Sequence, residues 1–377
     1  MLSEPTYLAA RMVAPVVEKH FAELHQLATP GQRPQLAPLP AVAIVEAVID
    51  ATFWASLRRE EGHPPQISLA LLTPEQAAQP LVFGQRKRLT PQNLIKLAPA
   101  VEQPGIHLGV WPDDEGLYVW GTVTELPPLC FVLEVIEPGL LVVKHPRADG
   151  FGKFVNVAIM RGDQLQVVDA DNTGVADCQA MRRFLPGGAL PGIPDEADDV
   201  LVELAAVMRA HGRGGLVLVV PPDSEQWHTS IVQPMSYPVT PAYTGIAEVM
   251  VQRQRAPDWQ KSLRRAINIV GGFTSVDGAT VISQDYRLLA FGAKVARAKG
   301  SAPVEEMMIT EPVLGSTVRY THPAQNGGTR HLAAAQFVHD QRDALALVAS
   351  QDGFFTVFAW SPKYNMVHAH RIDVLLL

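Results

Sequence analysis

A chain of 377 residues with a formal net charge of -7 and a pI of about 5.9 is too long for one ordinary core and has no general attraction for a nucleic-acid backbone. Hydrophobic residues make up 47% and charged residues 18%, which excludes a disordered chain, and no run reaches the roughly twenty apolar residues of a membrane span. Two cysteines, Cys130 and Cys178, exclude a disulfide framework or a four-cysteine zinc site, and the N-terminus lacks the apolar run of a secretory signal, so a cytoplasmic protein with reduced thiols is expected.

In chain order, Val13, Val16, Val17, His20, Phe21 and Leu24 share one face of a predicted helix, and Ile44, Val45, Val48, Ile49, Phe53 and Leu57 share one face of a second. The segment 28–40 between them is loop by its proline and glycine content. The basic triplet Arg86-Lys87-Arg88 reads as a solvated loop ahead of a helix start. From about residue 105 the apolar period changes to two, with Ile106, Leu108 and Val110, then Leu117, Val119 and Gly121, followed by hairpins around Glu137-Pro138-Gly139 and Arg161-Gly162-Asp163. These predict an antiparallel sheet of five or six strands flanked by helices, ending near Asp171. Cys130 lies in an apolar run and reads as a buried small hydrophobe. A glycine- and proline-rich stretch follows, so the expected organisation is an α+β domain at 1–175, a linker at 176–196 and a second domain at 197–377.

The second domain opens with a predicted helix from Asp198 to about Ala210, capped by aspartates and striped by Val200, Leu201, Leu204, Val207 and Met208. Gly215–Val220 reads as a fully buried strand. A loop containing Trp227 and Tyr237 leads to helical segments near 242–253 and 258–270, the latter carrying Leu263, Ile267 and Ile269. Strands at 279–283 and 287–291, a long irregular insert, a helix near 329–339 and a hairpin around Gln351-Asp352-Gly353 complete the pattern. Interleaved helices and strands predict an α/β domain with a mixed sheet.

Three short segments could carry chemistry. Asp277-Gly278-Ala279 hands a helix over to a strand. Asp-Gly is a common turn pair, yet the same glycine lets a ligand approach the backbone and the carboxylate can hold a divalent metal beside phosphates. Gly327-Gly328 runs into a helix whose first turn presents Thr329, Arg330 and His331. Thr329 alone would be an N-cap, but helix N–H groups, a hydroxyl and a guanidinium together suit a phosphate. Ser350, Gln351 and Asp352 form a hairpin turn that matters only if it faces the other two. No Walker A loop is present, and the glycines of Phe291–Gly300 do not have Rossmann spacing.

The order of these segments resembles the DAC (diadenylate cyclase) domain, whose members carry DGA, then GTRHRAA, then a VSEE-type turn. Here they stand as DGA at 277–279, GTRHLAA at 328–334 and ASQD at 349–352, and the resemblance covers roughly residues 195–362. The N-terminal half is similar to the variable sensor domains fused in front of such modules. The resemblance implies that two domains meet face to face in a homo-oligomer, each binding ATP, and join the two nucleotides into cyclic di-AMP with release of pyrophosphate, under control of the N-terminal domain. It further implies that Asp277 holds Mg²⁺ or Mn²⁺, with Asp352 as a second candidate ligand. By the same likeness Gly278, Ala279 and Gly328 line the nucleotide, Thr329, Arg330 and His331 contact phosphates, and Ser350 assists. Asp277, Arg330 and His331 are the expected catalytic residues. No nucleic acid or membrane partner is implied.

Two departures stand out. Leu332 replaces the second arginine of the family pattern, and the turn reads Ser-Gln-Asp where the family has Ser-Glu-Glu. A degenerate DAC fold that senses a nucleotide without reacting is the alternative. Elsewhere, His368 and His370 are expected to face solvent along the last strand, Glu305-Glu306 to lie on the surface, and Trp111, Tyr118, Trp120 and Phe131 to belong to the N-terminal core.

Overall fold

The computed structural model describes residues 5–28, 35–146, 154–169, 198–252 and 258–377. The chain divides into two compact units, Met1–Asp169 and Ala170–Leu376. The expected linker at 176–196, and Cys178 within it, lie outside the described residues.

The first unit begins with α1 (Leu8–Leu27) and α2 (Val42–Ser56), followed by β1 (Ser68–Leu71), β2 (Leu81–Arg88) and α3 (Pro91–Leu97). Then come β3 (His107–Asp113), β4 (Gly116–Val123), β5 (Val132–Glu137), β6 (Leu140–Pro146), β7 (Phe154–Arg161) and β8 (Gln164–Val167). The sheet order is β2-β4-β3-β1-β5-β6-β7-β8. Val13, Val17 and Phe21 of α1 and Val45, Val48 and Ile49 of α2 pack on one face of it with Leu69, Leu108, Leu133 and Val143. On the other face the Trp120 indole N–H donates to Leu72 O at 2.8 Å, and the ring lies over Gly109, where a side chain would collide with it.

Two strands escape the periodicity reading, and the sheet is mixed rather than antiparallel, because β1 inserts between β3 and β5 and runs parallel to β3. All four β1 residues are buried, so the segment has none of the alternation that marks a half-buried strand. β2 is an edge strand that carries Arg86-Lys87-Arg88, which corrects the expected loop; charges of this kind protect an exposed sheet edge from further pairing. Arg86 pairs with Asp113 and stacks over Tyr118 at 4.6 Å. The helix expected after the triplet is α3, with the Thr90 hydroxyl accepting the Asn93 N–H.

The second unit contains α4 (Asp198–Ala210), β9 (Gly215–Val220), β10 (Tyr237–Tyr243), α5 (Gly245–Val251), α6 (Trp259–Phe273), β11 (Ala279–Ser283) and β12 (Leu288–Ala293). It continues with β13 (Met307–Thr310), β14 (Arg319–Thr321), α7 (Thr329–Asp340), β15 (Leu345–Ala349), β16 (Phe355–Ser361) and β17 (Met366–Arg371). The order β10-β12-β11-β9-β15-β16-β17-β13-β14 is mixed, with β9 parallel to β11 and β13 parallel to β17. Leu204, Met208 and Ile267 of α4 and α6 cover Val217, Val219 and Leu347 on one face. Ala335, Phe337 and Val338 of α7 cover Leu216, Leu218 and Val348 on the other. The result is a mixed sheet flanked by helices.

Tyr237 sits in edge strand β10 instead of a loop, and the insert contributes β13 and β14 at the opposite edge. Both depend on pairing across the sheet that local pattern does not encode. Ile269 is exposed, while Leu263, Ala266, Ile267 and Val270 form the buried stripe of α6. His368 and His370 do not face solvent. β17 is paired on both sides by β16 and β13, and both rings are buried against the Thr310 hydroxyl at 2.6 Å each. One hydroxyl proton can serve only one ring nitrogen, so the other ring donates to the oxygen and the two imidazoles adopt complementary roles.

Candidate functional site

β9 is central, with β11 on one side and β15 on the other, and the register places Ala279 and Val348 beside Leu216 and places Ala349 beside Gly215. One end of the sheet therefore gathers the turn before β11, the loop before β9 and the turn after β15. The outer two stand two strand spacings apart, about 10 Å. α7 packs against β9, β15 and β16. This register brings Asp277, Gly278 and Ser350 to one end, and Arg330 joins them from α7.

Gly278 has φ +103°, and a Cβ there would stand 2.5 Å from the Gly292 carbonyl carbon, so the turn is pressed against β12. The glycine is thus required by the fold itself, and the chemistry of the motif rests on Asp277. That carboxylate is exposed and has neither an ion pair nor a hydrogen bond among the described residues. Ala279 is buried at the start of β11.

Gly214, at φ +70°, is the point of contact with α7: a Cβ on it would lie 2.9 Å from Arg330 Nη1 and 3.2 Å from Ala349 O. The Arg330 guanidinium is half-buried between the β9 loop and the end of β15, and it too has no ion pair among the described residues. A cation withdrawn from water without a carboxylate is costly unless an anion occupies the space beside it.

Gly328, and not Thr329, is the N-cap of α7, with no side-chain capping bond, and Thr329 is the exposed first helical residue. The His331 N–H donates to Gly328 O at 3.1 Å, while the Thr329 and Arg330 N–H groups have no hydrogen-bond partner among the described residues, as is usual for the first turn of a helix. His331 turns the other way. It is 5% exposed, packs edge-on against Phe358 at 5.8 Å and lies under Gly327. Burial, with Arg371 and Arg330 nearby, pushes its pKa down to about 4, so it is neutral at neutral pH. Ser350 Oγ accepts the Asp352 N–H at 3.2 Å, which leaves the hydroxyl proton free to donate, and Asp352 itself is exposed. Leu332 is 38% exposed on the helix flank.

A divalent metal at this end would have Asp277 as a carboxylate ligand, and Asp352 stands on the turn after β15, two strand spacings away. Among the described residues no group of three His, Cys, Asp or Glu side chains forms a protein cage. The unpaired Asp277 carboxylate is a hard oxygen donor of the kind Mg²⁺ or Mn²⁺ accepts, since such ions take most of their other ligands from water and phosphate oxygens.

The opposite end of the sheet is built differently. Arg287 is held by Asp223 and Asp285 at 2.8 Å each, and a cleft of about 270 Å³ opens there between Trp227, His228, Met235, Thr240 and Leu289. It shares no residue with the DGA and GTRH segments.

In the first unit, Trp111, Tyr118, Trp120 and Phe131 are core or partly buried residues, as expected. A smaller cavity of about 190 Å³ lies between Leu24, Leu36, Pro128 and Leu129. Residues 34–124 match the family model described as "Probable sensor domain DACNV". The match takes in α2, α3 and β1–β4, so this part of the first unit is similar to a probable sensor domain. A search of curated proteins finds no match to the chain.

Sequence reasoning passed over the loop His211–Gly214. Its signal was present, since a basic residue between glycines immediately ahead of a buried central strand is an economical way to present a charge at a sheet end.

Proposed function

We propose that the second unit is a DAC-like domain that binds ATP and, paired face to face with a second copy, joins two ATP molecules into cyclic di-AMP under the influence of the sensor-type domain. The observation that carries this reading is the half-buried, ion-pair-free Arg330 at the sheet end where the register also collects Asp277 and Ser350. The sensor-family match in front of it supports the same reading, since the sequence resemblance pairs such domains with DAC modules.

In this mechanism the first turn of α7 and Arg330 hold the phosphates, and Ser350 donates from the neighbouring turn. Asp277 would hold Mg²⁺ or Mn²⁺, which when bound would supply charge neutralisation and make the attacking hydroxyl easier to deprotonate. The 3′-hydroxyl of each ATP attacks the α-phosphorus of the other. Two P–O bonds form, two bonds to pyrophosphate break, and the products are one cyclic di-AMP, two pyrophosphates and two protons. Positioning supplies most of the rate in such in-line transfers. His331, buried and neutral, acts as a prop for the Gly327-Gly328 approach to the helix.

One observation favours a second reading. With Leu332 aliphatic and His331 turned into the core, Thr329 and Arg330 are the residues of the Thr-Arg-His-Leu run left to meet a triphosphate, which suits a nucleotide sensor without turnover. Incubation with ATP and Mn²⁺ followed by mass spectrometry separates the two. Cyclic di-AMP that vanishes in Asp277→Asn supports the enzyme. An ATP-dependent rise in melting temperature with no product supports the sensor, and the absence of both responses sinks the nucleotide reading.

A further inference from the structure

We infer that Arg213 is a phosphate-binding residue of this site, supplying beside Arg330 the second guanidinium that Leu332 denies it; the inference rests on the nucleotide reading above.

The loop from α4 to β9 is pinned on both sides. The Arg213 N–H donates to His211 Nδ1 at 3.2 Å, which makes Nε2 the protonated nitrogen of that ring. His211 Nε2 then donates to Thr274 Oγ1 at 3.0 Å, and the Thr274 hydroxyl donates onward to Gly271 O at 2.7 Å. Thr274 stands three residues ahead of Asp277, so this chain ties Arg213 to the DGA turn. On the other side the Arg213 carbonyl accepts from Gln351 Nε2 at 3.4 Å, which ties it to the Ser350 turn. Gly212 and Gly214, at φ +62° and +70°, give the loop its shape. A Cβ on Gly214 would displace the Arg330 guanidinium, which packs directly beside it.

The Arg213 backbone is thus fixed between the two motifs while its side chain is exposed and makes no ion pair among the described residues. A fixed backbone with a free guanidinium is how a chain offers a charge to a ligand at low entropic cost. Leu332 follows Arg330 by two residues, about 200° around the helix. Arginine at 332 would therefore project from the far flank of α7, whereas Arg213 is joined directly to Gly214, the residue against which Arg330 packs. The charge is relocated, not restored in place, and the group it recognises is the polyphosphate of a nucleoside triphosphate, not the nucleoside.

Titration calorimetry on the full chain with Mg²⁺ tests this, using ATP, inorganic triphosphate and adenosine as separate ligands. Arg213→Ala should weaken ATP and triphosphate about tenfold to a hundredfold, the range for one charge-assisted hydrogen bond. Adenosine binding and the ligand-free melting temperature should not change, and Arg213→Lys should recover part of the loss. Equal triphosphate affinity in wild type and Arg213→Ala, with wild type binding normally, overturns the role of Arg213 alone. Equal losses for adenosine and triphosphate mean that the residue merely shapes the loop, and also overturn it. Absence of ATP binding by wild type overturns the nucleotide reading as well.

Discussion

The two ends of the nine-stranded sheet each carry an arginine, and they differ in what satisfies it. At the carboxyl ends of β9 and β11, Arg287 bridges Asp223 and Asp285, and Ser283 also bonds to Asp285. At the amino ends of the same strands, Arg330 and Arg213 have no carboxylate partner and Asp277 no cation partner among the described residues, although all three belong to one sheet end. A satisfied arginine is part of the scaffold. An arginine packed beside backbone with no counter-ion is poised for an anion from outside. The larger of the two clefts described above adjoins the satisfied end, so concavity and chemistry point in different directions here. The unpaired groups at the other end lie outside that cleft.

The largest expected effect tests how rigidly the unsatisfied end is built. Gly278→Ala should destabilise the second unit by about 3 kcal/mol in urea unfolding, because its Cβ meets the Gly292 backbone at a φ of +103°. Gly353→Ala, in open space at φ +84°, should cost about 1 kcal/mol. Equal costs would remove the claim that the DGA turn is wedged against β12.

Arg330→Ala and Arg287→Ala make the sharpest test of the comparison. The first should lower ATP affinity by about tenfold or more and leave the ligand-free melting temperature unchanged or raised. The second should lower the melting temperature slightly and leave ATP affinity alone. Reversed outcomes would mean that the assignment of scaffold and site is backwards.

His331 gives a pH signature. Its folded pKa of about 4 lies below the unfolded value of 6.5, so its burial contributes stability that is present above pH 6.5 and lost as pH falls toward 4. Replacing it with leucine should flatten the stability profile in that window by up to about 1.4 kcal/mol per pH unit. A wild-type slope in His331→Leu would place the imidazole in water instead of against Phe358.

The smallest effect is expected from Leu332→Arg. Because that flank of α7 points away from Arg330, the substitution should change triphosphate affinity by no more than a few-fold, less than Arg213→Ala does. A larger gain would show that position 332 faces the ligand after all.

By itself the sequence determined the helices α1, α2, α4, α6 and α7, the buried strand β9, the β15–β16 hairpin and the two motifs, because these depend on local periodicity and turn chemistry. It did not reveal β1, which is buried on both faces, or edge strands β2 and β10, whose charges and prolines look like loop until a neighbour pairs with them. Nor could it say which way a side chain turns on a helix covered on one side. Thr329, Arg330 and His331 are adjacent in the chain, yet they end in water, against Gly214 and against Phe358. Only tertiary structure decided this, because α7 rests on the sheet in one rotational setting fixed by Ala335, Phe337 and Val338. For the same reason His368 and His370 are core residues, and Gly214, more than a hundred residues from Arg330 in sequence, stands against its guanidinium. Strand order, which no local window contains, set that contact.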